Sequence, residues 1–341
     1  MNENFKYAAA VTLCLLFTTQ ASSALAESNT WQLNHQALFI FDNKEWMSGD
    51  ESGYTDFGWT SPLTLSYEDS ALDFQAGIYL SHRYSDNNDI ATKPIFHLNY
   101  QITEFQQLAL GTLPRPTSIH DALLSPVRWL EDPWVEGIQW QLSTEKLKSS
   151  FWLDWKTLET IDTAEQFNTG VNIEWQAISN IKLQHSILHD HTDGQITNDP
   201  TSKRIYGTFN GLFWHVLEPG NQLQWELSIA AIASSADIND VKNSGSGTEV
   251  SSSISLRQKH WQHRVILSHY SGTPQVTDGF VLYQYEQLDS LELSSSYQAD
   301  DSITIKLESR TDWVNHRANT TQTINVMWSF SQSDYSLING L

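Results

Sequence analysis

LKSSFWLDWKT, residues 147–157, alternates with a period of two: Phe151, Leu153 and Trp155 fall on one side of an extended chain, and Trp152, Asp154 and Lys156 on the other. Such a strand has one apolar and one polar face. A soluble sandwich would set the apolar face on a protein core and the polar face in water. A membrane barrel would set lipid outside and water inside. The rest of the chain decides between them.

Lys6 precedes the apolar run AAAVTLCLLF, and Ala24 and Ala26 form an A-x-A pattern, so residues 1–26 are expected to be a secretory signal removed before Glu27. The single cysteine, Cys14, lies in that run behind Leu13 rather than a small residue, which argues against a lipoprotein site. The mature chain would carry no thiol and hence no disulfide framework. Beyond the signal, no apolar stretch approaches the roughly 20 residues of a spanning helix. The 19 basic against 40 acidic residues argue against nucleic acid as a partner. The 14 Trp and 12 Tyr are many for an acidic soluble domain, and these residues concentrate at membrane interfaces.

Alternating segments of about ten residues recur along the whole chain, joined by connections that are short and long in turn. The stretch 234–249, rich in Ser, Gly and Asp, reads as one of the long loops, ahead of the strand VSSSISLRQ. Tyr67, Tyr100, Trp140, Trp175, Trp225 and Trp261 each lie within a few residues of a short turn, as an interfacial girdle requires. The expected fold is therefore all-β: a transmembrane antiparallel β-barrel of about 16 strands over residues 27–331, with 332–341 as a tail or an extra strand. A large soluble all-β domain is the competing reading.

This layout resembles bacterial outer-membrane porins, in which the loop after the fifth strand folds into the lumen. The corresponding segment is PRPTSIHDALLSPVRWLEDP, residues 114–133, with Arg115, His120, Asp121, Arg128, Glu131 and Asp132 as constriction candidates. A short helix over the barrel mouth is an equal alternative. Barrels of this kind end on an aromatic residue, whereas this chain continues past Phe330 with SQSDYSLINGL. Alternation turns Lys148, Trp152, Asp154, Lys156, Glu174, Lys182, Glu226, Lys306, Glu308 and Arg310 toward the lumen, where rings of charge set selectivity.

The resemblance implies an outer-membrane channel for small hydrophilic solutes or sugars, with no enzymatic activity, no cofactor and no metal. The expected partners are outer-membrane lipids, the hydrophilic or saccharide solute and, in a homo-oligomer, further copies of the chain. GIQWQ…FWLDWKTLE, residues 137–159, resembles barrels associated with surface-polysaccharide systems, which makes an export component the alternative. Aromatics such as Trp134 and Trp152 would then stack on sugar rings. HYSG, residues 269–272, faintly resembles the His-x-Ser stretch of outer-membrane phospholipases, and places His269 and Ser271 on the lipid-facing side with His82 and His189. A lipid hydrolase is accordingly the third reading. HDHTDG, residues 189–194, lacks the ligand spacing of a zinc or calcium site and reads as a solvated loop tip.

Overall fold

The computed structural model describes residues 31–332 apart from 48–52, 70, 85–89, 116–118, 125–133, 195, 199–200, 218–221, 278, 280 and 301. The expected signal segment, residues 333–341 of the tail, and Arg128, Glu131 and Asp132 lie outside the described residues.

The strands run in order as β1 (Trp31–Trp46), β2 (Tyr54–Asp69), β3 (Leu72–Arg83), β4 (Ile90–Thr103), β5 (Gln106–Pro114), β6 (Trp134–Ser143), β7 (Leu147–Thr157) and β8 (Glu165–Ile178). The second half continues with β9 (Ile181–Asp193), β10 (Lys203–Leu217), β11 (Leu223–Ile238), β12 (Val241–Gln258), β13 (Trp261–Gly272), β14 (Gln287–Gln298), β15 (Ile303–Val314) and β16 (Arg317–Gln332). Each strand pairs antiparallel with its sequence neighbours, and β1 pairs with β16, so sixteen strands close into one barrel without an edge. A barrel of this strand number is wide enough for water between its walls.

Side-chain alternation sorts the wall cleanly. Phe39, Phe96, Phe151, Ile229 and Leu267 stand exposed on the outer surface, as hydrocarbon-facing residues must when no bilayer covers them. Their strand neighbours Ile40, Ile95, Trp152 and Ala230, and Tyr270 further along β13, are buried on the inner side. On the side of the short turns, aromatic pairs link adjacent strands outside the barrel: Trp31 with Tyr67, Trp214 with Trp225, and Trp261 with Tyr297. This girdle marks the periplasmic interface, and the opposite rim carries the longer loops and is the outer one.

One expectation is corrected here. Residues 234–249 are strand, not loop: β11 and β12 run on to a two-residue turn in which Asn239 and Asp240 hold φ of 50° and 67°. Both residue types tolerate the left-handed conformation that a tight hairpin needs. The extension has a use, because Gly247 on its inner side lies under the Tyr270 ring, with no room for a Cβ. The hairpin is thereby a wall against which the loop between β13 and β14 packs.

Candidate functional site

Inside the barrel, two loops from the outer rim meet. Residues Ile119–Leu124, after β5, and the 3-10 turn Val281–Gln284, before β14, share a buried cluster with Trp152, Leu188, Phe209, Ile232, Tyr270 and Leu288 of the inner wall. Ala122, Leu123 and Leu282 are completely buried. Leu123 presses on Gly207 of β10, where an added Cβ would lie 2.6 Å from its Cδ2. The two loops also hold each other, since the Thr277 hydroxyl donates to the Ala122 carbonyl.

Charge fixes this pad to the wall. Arg310 Nη1 donates to Asp121 Oδ2 at 2.9 Å while its Nε donates to both oxygens of Asp312 at 3.0 Å. Ser290 donates to the same Asp312. His120 Nε2 lies 3.2 Å from Glu249 Oε1, and Tyr283 donates to Glu249 Oε2 at 2.5 Å. Burial alone would lower the His120 pKa, but the charge and hydrogen bond of Glu249 more than reverse this and raise it. Burial and the same carboxylate push the Tyr283 hydroxyl well above its ordinary value, so it remains a donor. Ala122 N lies 3.2 Å from His120 Nδ1 and the ring stacks on Phe209, so both ring nitrogens face structural partners.

The ten residues assigned to the lumen from alternation all register on the inner side of their strands, and most of them are paired there. Lys182 lies 3.8 Å from Glu174, Lys306 2.6 Å from Glu308, and Arg264 3.8 Å from Glu226, which also meets His215. Lys156 and Lys203 flank Asp190. Asp154 accepts from the Glu136 N–H, Trp152 is buried in the pad, and Lys148 stands across from Glu174 in the β7–β8 register. Arg115 is half-buried at the base of the inward loop. In HDHTDG, alternation puts His189, His191 and Asp193 outside and Asp190 inside, which separates the four ligand-type side chains. Among the described residues no cluster of metal-type ligands forms.

The outer surface carries a further arrangement. Among the described residues, outward histidines with a side-chain partner across the strand include His35 with Ser61, His185 with Asn210, His263 with Ser295, and His269 with Asp289. Only the last of these partners is a carboxylate. His269 Nδ1 lies 2.7 Å from Asp289 Oδ1, and an ionised carboxylate only accepts, so the proton sits on Nδ1 and Nε2 is left as a base. Ser271 follows on the same face, two residues nearer the outer rim. On β13 and β14 the outward residues change at this level from Leu267 and Leu291 to His269 and Asp289, which puts the pair at the outer edge of the hydrocarbon.

A family model described as lipid A 3'-O-deacylase-type matches residues 21–340, nearly the whole chain. The chain belongs to the lipid A 3'-O-deacylase-type family. This overturns the expectation of a protein without enzymatic activity, because the lipid A 3'-O-deacylase-type family is an enzyme family. His269 and Asp289, 20 residues apart, meet only through the β13–β14 register, so no sequence spacing pairs them. Asp289 carries no signal of its own in LDSLEL. Glu249 and Tyr283 were missed for the same reason, since they meet His120 and each other only in the folded barrel.

Solved structures similar to this deacylase-type chain are porins. OmpT of Vibrio cholerae, a loop-deletion mutant, matches at 9% identity with a TM-score of 0.56, over 89% of this chain and 99% of that one. OprD of Pseudomonas aeruginosa matches at 11% identity and 0.53, over 90% and 97%. Salmonella typhi OmpF, solved with daunomycin, matches at 8% and 0.55, over 89% and 98%. At these identities the likeness is one of fold: a porin-like outer-membrane barrel located in the outer membrane. No curated protein matches the chain in sequence.

Proposed function

We propose that this barrel hydrolyses an O-acyl ester of an outer-leaflet lipid on its outer surface, with His269 as general base and Asp289 as its orienting partner. The observation that carries the reading is the 2.7 Å His269–Asp289 contact, outward-facing at the depth where lipid ester groups lie. It agrees with the family's deacylase-type description. His269 Nε2 takes a proton from a water, whose oxygen adds to the acyl carbonyl carbon. The ester C–O bond then breaks, and the proton passes to the leaving alcohol oxygen. With Ser271 as nucleophile, the acyl group would rest on its Oγ until a water releases it. The products in either case are a fatty acid and the deacylated lipid.

The test is fatty-acid release from lipopolysaccharide by the folded protein in detergent. His269→Ala should abolish release. Ser271→Ala separates the two routes, since it stops acyl transfer to serine and spares direct attack by water. Equal release by wild type and His269→Ala would sink the assignment.

A second reading, passage of small hydrophilic solutes, is favoured by the mixed charges of the inner wall, of which Lys182–Glu174 and Lys306–Glu308 remain partly exposed. Planar-bilayer conductance tests it: open steps that grow on deletion of residues 119–124 are expected, and a barrel silent in both forms would exclude it.

A further inference from the structure

The outer wall is not smooth beside the His269–Asp289 pair. A recess of about 600 Å³ opens toward the lipid between β8 and β12, lined among others by Ile173, Leu183, Leu212, Ile229, Ala231 and Thr248. Its floor is low where Ala231 and Thr248 stand beside the larger Ile229 and Leu212. His185 and Asn210 also line it and bond each other at 2.7 Å, which satisfies His185 Nδ1 and Asn210 Oδ1 within the wall.

The recess stops one strand short of the candidate site, and the register links the two. One row across the sheet reads Ile173, His185, Asn210, Ala231, Thr248, Ser271. The row beside it reads Leu183, Leu212, Ile229, Val250, His269, Asp289. Ser271 stands at the outer end of β13 and His185 near the periplasmic end of β9, so both rows descend from the outer interface into the bilayer. From Ser271 to Asn210 the row crosses three strand spacings, about 14 Å. An ester held at His269 therefore has an apolar path leading down and away from it.

We infer that this recess is the bed of the substrate's scissile fatty acyl chain, and that Ala231 and Leu212 set the preferred chain length. The inference rests on the hydrolase reading above and deepens it. An acyl chain fits the observations better than a second copy of the barrel would, because the recess ends at Thr248, whose register partner is Ser271, and descends from there toward the periplasmic end of β9.

The test uses p-nitrophenyl butanoate and p-nitrophenyl tetradecanoate as paired substrates of the detergent-folded barrel. Ala231 is exposed on the outer surface, so Ala231→Trp fills the recess without touching the interior. It should lower turnover of the tetradecanoate by about tenfold or more and leave the butanoate unchanged. Leu212→Ala widens the recess and should shift preference toward longer chains, while Phe96→Trp, on β4 across the barrel, should change neither. Equal loss on both esters, or no change on either, would overturn the bed and leave the hydrolase reading standing. So would an Ala231→Trp variant that alters only the oligomeric state. A wild-type barrel that turns over neither ester overturns both.

Discussion

Arg310 on β15 and Asp121 in the loop after β5 are 189 positions apart in sequence and meet at 2.9 Å inside the barrel. The same guanidinium binds Asp312, which is almost wholly buried, so one cation serves two carboxylates. The inward loop is thus tied by charge to the opposite wall and by Leu123 to Gly207. A loop so held is a structural pad.

Removing that cation should be costly. Arg310→Met leaves Asp121 and Asp312 facing each other without compensation, and breaking a buried pair in this way typically costs about 3–5 kcal/mol. The expected result is a lower urea midpoint together with proteolytic cleavage within 119–124 that the wild type resists. Arg310→Lys keeps the charge and loses the fork, so it should fall between the two. An Arg310→Met barrel as stable and as protease-resistant as the wild type would show that the pad is held by packing alone.

The second tie, His120 to Glu249, depends on pH. The folded-state pKa of His120 is raised, so the pairing contributes fully below the unfolded value of about 6.5 and is lost as pH rises through the folded value. The wild type should therefore exceed His120→Gln in Tm by the largest margin in mildly acidic buffer, with the gap closing in alkaline buffer. Tyr283, raised well above its ordinary pKa, keeps its proton across that range and does not contribute to the change. A gap that widens with pH would contradict the assignment.

What could be read from the chain and what could not divide along one physical line. Phe151, Leu153 and Trp155 against Trp152 and Asp154 is a local period-two signal, and it delivered the strands, the girdle and the inner face. Residues 234–249 defeated it because Ser, Gly and Asn have little strand propensity, and that hairpin is secured by pairing and by Tyr270 over Gly247. The candidate site failed to show for a related reason: His269 was visible, but its carboxylate comes from the next strand, and no spacing rule links position 269 to position 289. The same holds for Glu249 beneath His120.

The hairpin tip offers a check on that account. Asn239 and Asp240 both occupy the left-handed region, where a β-branched residue is strained by about 1–2 kcal/mol. Asp240→Val should lower the folding midpoint by that order, whereas Asp240→Gly, which tolerates the same φ, should be neutral or mildly stabilising. Chemical-denaturant refolding into detergent micelles measures both. Equal effects of the two substitutions would mean that the turn conformation is not what limits the hairpin.

Asp289→Asn separates activity from stability most sharply. Both members of the His269–Asp289 pair are more than half exposed, so the contact adds at most about 1 kcal/mol to folding. Its chemical effect is larger. An asparagine amide can donate to His269 Nδ1, which moves the ring proton to Nε2 and removes the base. Ester turnover should fall by about 10²-fold or more with KM little changed, since a proton-transfer role is exercised at the transition state and not in binding. Tm should hold, and Asp289→Glu should restore part of the rate by keeping an acceptor within reach of Nδ1. A loss of Tm matching the loss of rate, or a fully active Asp289→Asn barrel, would move the search for the base to another face of the wall.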